Sequence, residues 1–341
     1  MSCKSKLLNI TRGIDYWEAF FNEEKINSDL FFKRHDITKE EAKELFKKYV
    51  CIVNLETSTV CNRKCDYCPL AIHDRNEQIH MDDEFYSKII SELGSIDYHS
   101  TVSLNLFNEP LLDAKIYSRI KELRQKCPKC FIKFNSNGDY LTREVLDKLV
   151  NAGLNAIFLT MHVPKGKTYT DEDRMNAIKM FFKKLELEFN VNEVVPNEKI
   201  VSDMNYRGMR LLVESHNWAV FGNDRGGAVE SLSSESRVTP CVRHLREFTI
   251  AYDGSVYPCC QFYPDCEESQ KYKVGQIDKN TGIFNIYSSK ILTRWRKDLF
   301  VFGEKQKPCA TCKDVDYSKN NNELRKNIIE SSKINKIILL K

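Results

Sequence analysis

The residues best suited to chemistry in this chain are cysteines. Cys61, Cys65 and Cys68 stand in a C-x3-C-x2-C run, Cys61-Asn-Arg-Lys-Cys65-Asp-Tyr-Cys68, directly after an apolar, strand-like stretch. Three thiolates at this spacing can occupy three corners of an iron–sulfur cube, whose irons normally take four cysteines. A local fourth is absent, since the next cysteine along is Cys127. One iron would keep an open position, and an open position on a metal is where chemistry occurs. A structural zinc site is the rival, although zinc sites usually pair C-x2-C units and close at four ligands. A second set occupies the last third of the chain: Cys241, twelve residues, Gly254, four residues and Cys259, then Cys309-Ala-Thr-Cys312. A zinc ribbon would also suit these four.

The elements that must position these residues begin with two helices. One is amphipathic and aromatic-rich over 14–22; the other opens on the capping box Thr38-Lys-Glu-Glu41 and runs to Lys48. From Tyr49 the pattern alternates. Strands are expected at 50–56, 101–107, 131–136, 155–161, 189–195 and 218–222, and helices at 82–93, 113–125, 142–151, 171–188 and around 204–216. Such strand–helix units imply an α/β fold, an open, mostly parallel, partial (β/α)6 TIM-like barrel, with working residues at the carboxyl ends of its strands. The expected division is a helical extension over 1–48, the barrel over 49–228, a small C-terminal domain over 229–316 and a tail over 317–341. In the small domain Asp253-Gly254 predicts a type I′ hairpin that brings Cys241 and Cys259 together, and a helix over 288–300 returns the chain for the last cysteine pair.

Bulk properties narrow the class. The chain has 341 residues, 42% hydrophobic and 29% charged, enough for one large domain or two ordinary ones. No apolar run is long enough to span a bilayer, and the first residues lead into only a short apolar patch at 7–10. Cytoplasmic residence is expected, where thiols stay reduced and cysteine clusters read as metal ligands before disulfides. The net charge of +4 is too mild to argue for a nucleic-acid partner. Arg225, Arg237, Arg243 and Arg246 read either as a local anion-attracting patch or as scattered solvated side chains.

Residues 60–69 resemble the cluster loop of the radical S-adenosylmethionine (SAM) superfamily, C-x3-C-x-aromatic-C, with Tyr67 in the aromatic slot. In that family the open iron chelates the amino and carboxylate groups of SAM, and reduction of the [4Fe–4S] cluster cleaves SAM to methionine and a 5′-deoxyadenosyl radical. Phe107-Asn108-Glu109-Pro110 resembles the family's Gly-Gly-Glu-Pro motif, with both glycines replaced, and Asn135-Ser136-Asn137-Gly138 resembles its Thr-Asn-Gly turn. The resemblance implies that Tyr67, Asn108, Glu109, Ser136, Asn137 and Thr160 bind SAM. In Thr160-Met161-His162 the histidine is a candidate acid–base group beside SAM or substrate.

The C-x12-G-x4-C … C-x2-C pattern resembles the twitch domain, the short relative of the SPASM domain in radical SAM enzymes. By that resemblance Cys241, Cys259, Cys309 and Cys312 hold one auxiliary [4Fe–4S] cluster. No cysteine follows Cys312, so a second auxiliary cluster is not implied, and Cys260 and Cys266 are left over. Cys127 and Cys130 read as structural, Cys3 and Cys51 have no readable role, and the tail from 320 ends in an apolar stretch suited to docking.

The implied activity is that of a radical SAM oxidoreductase that removes hydrogen from an unactivated C–H, most simply a carbohydrate or aminocyclitol dehydrogenase with the auxiliary cluster as electron acceptor. Arg225 corresponds to an arginine that contacts substrate in the aminocyclitol dehydrogenase of the twitch group, where it is proposed to help proton removal. The substrate is then small and polar, and the reductant is a flavodoxin- or ferredoxin-type protein. Cys260, as a thiol hydrogen donor, keeps open an epimerase of a sugar or peptide. Peptide maturation is a third reading, against which the N-terminal segment is shorter than the family's leader-binding domain. An iron–sulfur electron carrier or redox sensor is the reading outside enzymes.

Overall fold

The computed structural model describes residues 37–75, 77–234, 236–237, 241, 243–299 and 304–313. The helix expected at 14–22, Cys3 and the tail from 320 lie outside them. Strands β1 (Ile52–Leu55), β2 (Thr101–Ser103), β3 (Phe131–Ser136), β4 (Ala156–Thr160), β5 (Glu193–Val195), β6 (Lys199–Tyr206), β7 (Met209–His216), β8 (Glu247–Ile250), β9 (Ser255–Tyr257) and β10 (Gly275–Gln276) form one sheet. Its order is β10-β9-β8-β1-β2-β3-β4-β7-β6-β5. Parallel pairing runs unbroken from β8 through β1, β2, β3 and β4 to β7. Antiparallel hairpins finish both edges.

Five longer helices cover the outer side of the parallel strands: α1 (Lys39–Tyr49), α2 (Asp83–Ser95), α3 (Ile116–Lys126), α4 (Arg143–Ala152) and α5 (Asp171–Lys184). Four of them start where the sequence offers an oxygen at the N-cap: Thr38, Asp82, Thr142 and Thr170 each accept a backbone N–H of the first turn. The helices then bury residues at spacings of three and four, such as Tyr86, Ile89, Ile90 and Leu93 on α2. These pack on Val53, Val102, Ile132, Phe134, Ile157, Leu159 and Val213, every second residue of the strands. The alternate positions include Asn54, Ser103, Lys133, Asn135, Thr160, Glu214 and Thr249, interrupted by Phe158 and Leu212, so the inner face of this parallel sheet is predominantly polar. Parallel strands buried on both faces are usually apolar throughout; here the inner face is left for something polar.

The far end of the barrel differs from expectation. Residues 204–216 form no helix but the second half of the β6–β7 hairpin, with Tyr206 opposite Met209. The turn is Arg207-Gly208, both with positive φ (50° and 89°), as a two-residue type I′ turn requires. Ile200, Ser202 and Tyr206, then Met209, Leu211 and Val213, are buried at period two. The strand expected at 218–222 is a single helical turn, α6 (Trp218–Phe221), because the Asn217 side chain caps the N–H of Ala219. Within 189–195 only β5 is strand. The place of the sixth barrel strand is taken by β8, from the C-terminal segment, which lies parallel to β1.

The C-terminal segment continues through α7 (Arg243–Arg246), α8 (Glu267–Gln270), α9 (Ile283–Tyr287) and α10 (Lys290–Leu299). Helix α10 falls within the helix expected at 288–300. Phe46 of α1 packs edge-on against Phe248, Phe284 and Tyr287, with ring centres 5.3, 5.4 and 5.2 Å away, which fastens α1 to this segment. The β8–β9 turn is not type I′: only Gly254 has positive φ (84°), and Ala251 and Ser255 close a three-residue loop with Gly254 N–H donating to Ala251 O. Among the described residues no helix is long and apolar enough to cross a membrane. A Cβ at Gly254 would lie 2.5 Å from Phe85 Cζ. Gly254→Ala is therefore expected to destabilise the fold by about 1–3 kcal/mol, read as a lowered urea midpoint at unchanged slope.

Candidate active site

The cluster loop leaves β1 and is held on three sides. Cys68 N–H donates to Cys65 O (2.8 Å), which curls the loop back over its middle cysteine. Asp139, in the turn after β3, accepts from Asn62 Nδ2 (2.7 Å) and Arg63 Nε (2.8 Å), and Asn137 Nδ2 donates to Asn62 Oδ1 (2.8 Å). The Asn137 side chain thus serves as a clamp on the loop while it also borders the cavity. Behind the loop, Arg75 pairs with the fully buried Glu56 carboxylate at 2.9 Å and also with Asp265 of the C-terminal segment.

Cys61, Cys65 and Cys68 open on a cavity of about 180 Å³. The same cavity is lined by Tyr67, Asn108, Glu109, Ser136, Asn137 and Thr160, by His162 and by Arg225. The structure therefore gathers, at the carboxyl ends of the strands, every residue that the first cysteine run and the motifs after β2, β3 and β4 single out. Glu109 N–H donates to Val60 O (2.8 Å), and its carboxylate accepts from Ser136 Oγ and Asn137 N–H, both at 2.8 Å. Burial pushes the Glu109 carboxyl above the ordinary carboxylate range, and these donors pull it back. Burial and then the Arg63 charge lower His162 to about 3, so the ring is neutral, with Nδ1 paired to the Tyr67 hydroxyl. Tyr67 in turn stacks on Trp218, ring centres 4.5 Å apart.

Two observations test whether this cavity suits an iron–sulfur cluster and SAM. Burial raises Cys61 to about 12, Cys65 to about 11 and Cys68 above its usual value. Left alone these thiols would stay protonated, and a bound cationic centre would be what makes them thiolates. The three border one cavity, and three cysteines without a local fourth suit a cluster that keeps one iron open. Asn108 Nδ2, Arg225 Nε and Trp218 Nε1, on residues that line the same cavity, are buried donors with no partner in the protein. Orphaned donors at a cavity wall call for acceptors, which the oxygens of a bound SAM would supply.

The second cysteine set is gathered too. Burial raises Cys259, with the charges of Cys241 and Cys309 reaching it, and burial raises Cys309, reached by Cys241 and Cys312. Asn223 Nδ2 lies 3.1 Å from Cys312 Sγ, and Arg237 3.6 Å from it. Asp224 accepts from Thr311 Oγ1 at 2.5 Å, and Arg225, with φ of 53°, turns the other way and donates to Gln261 Oε1 (2.8 Å). Three consecutive residues thus hold the last cysteine pair on one side and reach the cavity of the first cysteine run on the other. The four arginines do not make a surface patch: Arg237 is buried, Arg243 reaches Cys260 Sγ (3.7 Å), and Arg246 reaches Cys51 Sγ (3.2 Å). Cys260 is not among the cavity-lining residues. Cys127 and Cys130 are buried, their thiols donating to Ile90 O and Tyr98 O ahead of β3.

Residues 55–195 match the model of the radical SAM superfamily, and residues 238–313 match SPASM, an iron–sulfur cluster-binding domain. The chain therefore carries a radical SAM domain with an iron–sulfur SPASM domain at its C-terminal end, the pairing of a radical SAM enzyme with an auxiliary iron–sulfur domain. As a radical SAM enzyme it uses SAM and [4Fe–4S] clusters, one of them auxiliary. It is 24% identical over 272 residues to the S-adenosyl-L-methionine-dependent 2-deoxy-scyllo-inosamine dehydrogenase of Niallia circulans, covering 79% of this chain and 94% of that protein. Its fold is similar to that of BtrN in complex with AdoMet and 2-DOIA, at a TM-score of 0.56 and 20% identity, covering 82% of this chain and 96% of that one. Selenomethionine BtrN in an open conformation aligns at a TM-score of 0.50, also 20% identical, covering 81% and 93%.

Sequence reasoning missed Trp218 and Arg75. Trp218 follows a strand that was not expected, so nothing marked it as the stacking partner of Tyr67; Arg75 stands in a stretch without any pattern. Each cubane carries about four irons. Replacing Cys61, Cys65 and Cys68 together with alanine is expected to leave about half the iron of the loaded protein and abolish SAM cleavage. Replacing Cys241, Cys259, Cys309 and Cys312 should remove the other half yet leave substrate-independent 5′-deoxyadenosine release. Iron assay and chromatography check both.

Proposed function

We propose that this radical SAM enzyme is a dehydrogenase of a small, hydroxyl-rich ring, a carbohydrate or aminocyclitol. In this reading Cys61, Cys65 and Cys68 hold the SAM-binding cluster, and Cys241, Cys259, Cys309 and Cys312 hold the auxiliary one. The observation that carries it is the double contact of Arg225. Its guanidinium borders the SAM cavity and donates to Gln261, two residues from Cys259. A substrate gripped there lies between the group that takes its hydrogen and the group that takes its electron. The polar inner face of the barrel suits many hydroxyls, and the similarity to a 2-deoxy-scyllo-inosamine dehydrogenase supports the same substrate class. When bound, SAM and its cluster supply the radical; the chain's residues place the substrate and exclude water. Electrons come from a small flavodoxin- or ferredoxin-type protein.

A second reading, epimerisation, keeps one observation: Cys260 lies close enough for its charge to act on Lys133, inside the barrel. The two readings part on product mass. With 2-deoxy-scyllo-inosamine deuterated at the oxidised carbon, the dehydrogenase consumes about one SAM per product, moves deuterium into 5′-deoxyadenosine and releases a ketone two hydrogens lighter. With the unlabelled compound in deuterated water, a product one mass unit heavier that carries one solvent deuterium, an incorporation lost in Cys260→Ala, identifies the epimerase instead.

A further inference from the structure

Dehydrogenation of an alcohol needs a group to take the hydroxyl proton. Arg225 is poorly made for it, because a guanidinium is not deprotonated in proteins. Lys133 lies two residues before Asn135 on β3, so both side chains leave the strand on its inner face. Asn135 borders the SAM cavity. Lys133 Nζ lies 3.2 Å from Asn135 Oδ1 and 4.6 Å from the centre of the Phe158 ring on β4.

The charged groups around Lys133 are otherwise engaged. Glu214 of β7 is 3.2 Å from His216 Nε2, and Glu247 of β8 pairs with Arg243. Arg210, also over the Phe158 ring, pairs with Asp203 at 2.6 Å. Cys260 faces Lys133 from beyond β9 and lies 3.7 Å from Arg243. Among the described residues Lys133 has one hydrogen-bond acceptor and one aromatic face, and no carboxylate partner. A desolvated ammonium with so few partners is costly; Lys133 does not itself line the cavity, but its acceptor Asn135 does, one hydrogen bond away. Desolvation lowers its pKa below that of an ordinary lysine, against the opposite pull of Cys260, Glu214 and Glu247, so the neutral amine is within easier reach.

We propose that Lys133 contacts the substrate and accepts its hydroxyl proton during dehydrogenation. The proposal rests on the dehydrogenase reading above. The substrate's C–H hydrogen atom leaves to the 5′-deoxyadenosyl radical, its O–H proton passes to the neutral Lys133 Nζ, and the remaining electron goes to the auxiliary [4Fe–4S] cluster. The substrate is left with a C=O bond, the lysine as ammonium and the cluster reduced by one electron.

The test uses full-length, cluster-loaded wild type, Lys133→Arg and Lys133→Met with deuterated 2-deoxy-scyllo-inosamine. Arginine keeps the cation and its donors but cannot accept a proton. Lys133→Arg is expected to bind the compound within about threefold of wild type by calorimetry without reductant, and to keep deuterium transfer into 5′-deoxyadenosine. Its ketone formation should fall about 100-fold or more. In wild type kcat/KM rises with pH through the lysine's pKa, and this limb vanishes in Lys133→Arg; Lys133→Met should lose binding as well. Substrate-independent 5′-deoxyadenosine release at the wild-type rate shows that the variants are folded and loaded. Independently of any variant, saturating compound should protect Lys133 of the wild type from reductive methylation, read by peptide mass spectrometry. Ketone from Lys133→Arg within threefold of wild type, or an unprotected Lys133, overturns the role of this residue alone. A wild type that cleaves SAM in response to the compound but forms no ketone overturns the dehydrogenase reading, and this role with it.

Discussion

The arrangement depends on one buried carboxylate, that of Glu56 at the carboxyl end of β1. Its two oxygens lie 2.9 and 3.2 Å from the Arg75 guanidinium, and one of them also accepts Phe107 N–H (3.0 Å). Burial pushes the carboxyl up, and Arg75 pulls it back. Through Phe107 the same carboxylate sets the turn that carries Asn108 and Glu109. Through Arg75 it reaches Asp265, and the guanidinium lies 5.0 Å over the Tyr263 ring and 5.3 Å over that of Tyr252. Cluster loop, SAM-side turn and C-terminal segment are therefore registered to one point. Removing one partner of such a buried pair typically costs about 3–5 kcal/mol, because the other charge is left uncompensated. The ion pair earns its place by alignment, since a pair of apolar residues would fill the space without orienting three segments.

The same register brings the two cysteine-bearing halves of the chain together. Strand β8 pairs with β1 from Ile52–Glu247 to Leu55–Ile250, and Glu56 N–H continues the ladder to Ile250 O (3.0 Å). The segment with the second cysteine set is thus attached by main-chain hydrogen bonds in the middle of the sheet, where slippage by one residue would turn every side chain to the wrong face. Asn223, Asp224 and Arg225 add a second tie on the other side of the cavity. Hydrogen bonds to a cluster's sulfurs raise its reduction potential. On the proposed reading, in which Cys312 holds the auxiliary cluster, the donors Asn223 and Arg237 beside it would favour a centre that takes an electron over one that gives it up.

Much of this site was legible because its parts are contiguous in the chain. The cysteine run, Asn108-Glu109-Pro110 and Asn135–Gly138 are local patterns at strand ends, and local patterns survive without knowledge of the fold. The same holds for the capping box at Thr38, which begins the helix where expected. The β6–β7 hairpin was obscured because Leu211, Leu212 and Val213 are all apolar, although Leu212 faces inward with Arg210 and Glu214. A run of three hides a period of two, and only the Arg207-Gly208 pair signalled the turn. Arg75, Trp218 and the pairing of β8 with β1 have no local signature at all. Their partners lie far along the chain, and which residues meet is decided by tertiary packing rather than by propensity.

The inner face of the sheet carries the remaining argument. A parallel strand with helices on one side and an open barrel on the other must alternate, and each polar residue on the open side forgoes apolar burial worth about 1.5–3 kcal/mol per large side chain. Here Asn54 meets Thr249 at 3.3 Å and Ser103 meets Asn105 at 3.0 Å, so the deeper members satisfy one another. Asn105 in turn accepts from Asn135 N–H (2.8 Å), which carries the network to the cavity wall. Lys133 lies on the same face with one acceptor and no counter-charge within ion-pair distance among the described residues. The Asn54–Thr249 and Ser103–Asn105–Asn135 contacts close on one another, whereas Lys133, like the Asn108, Arg225 and Trp218 donors at the cavity, keeps hydrogen-bonding capacity that a bound hydroxyl can use.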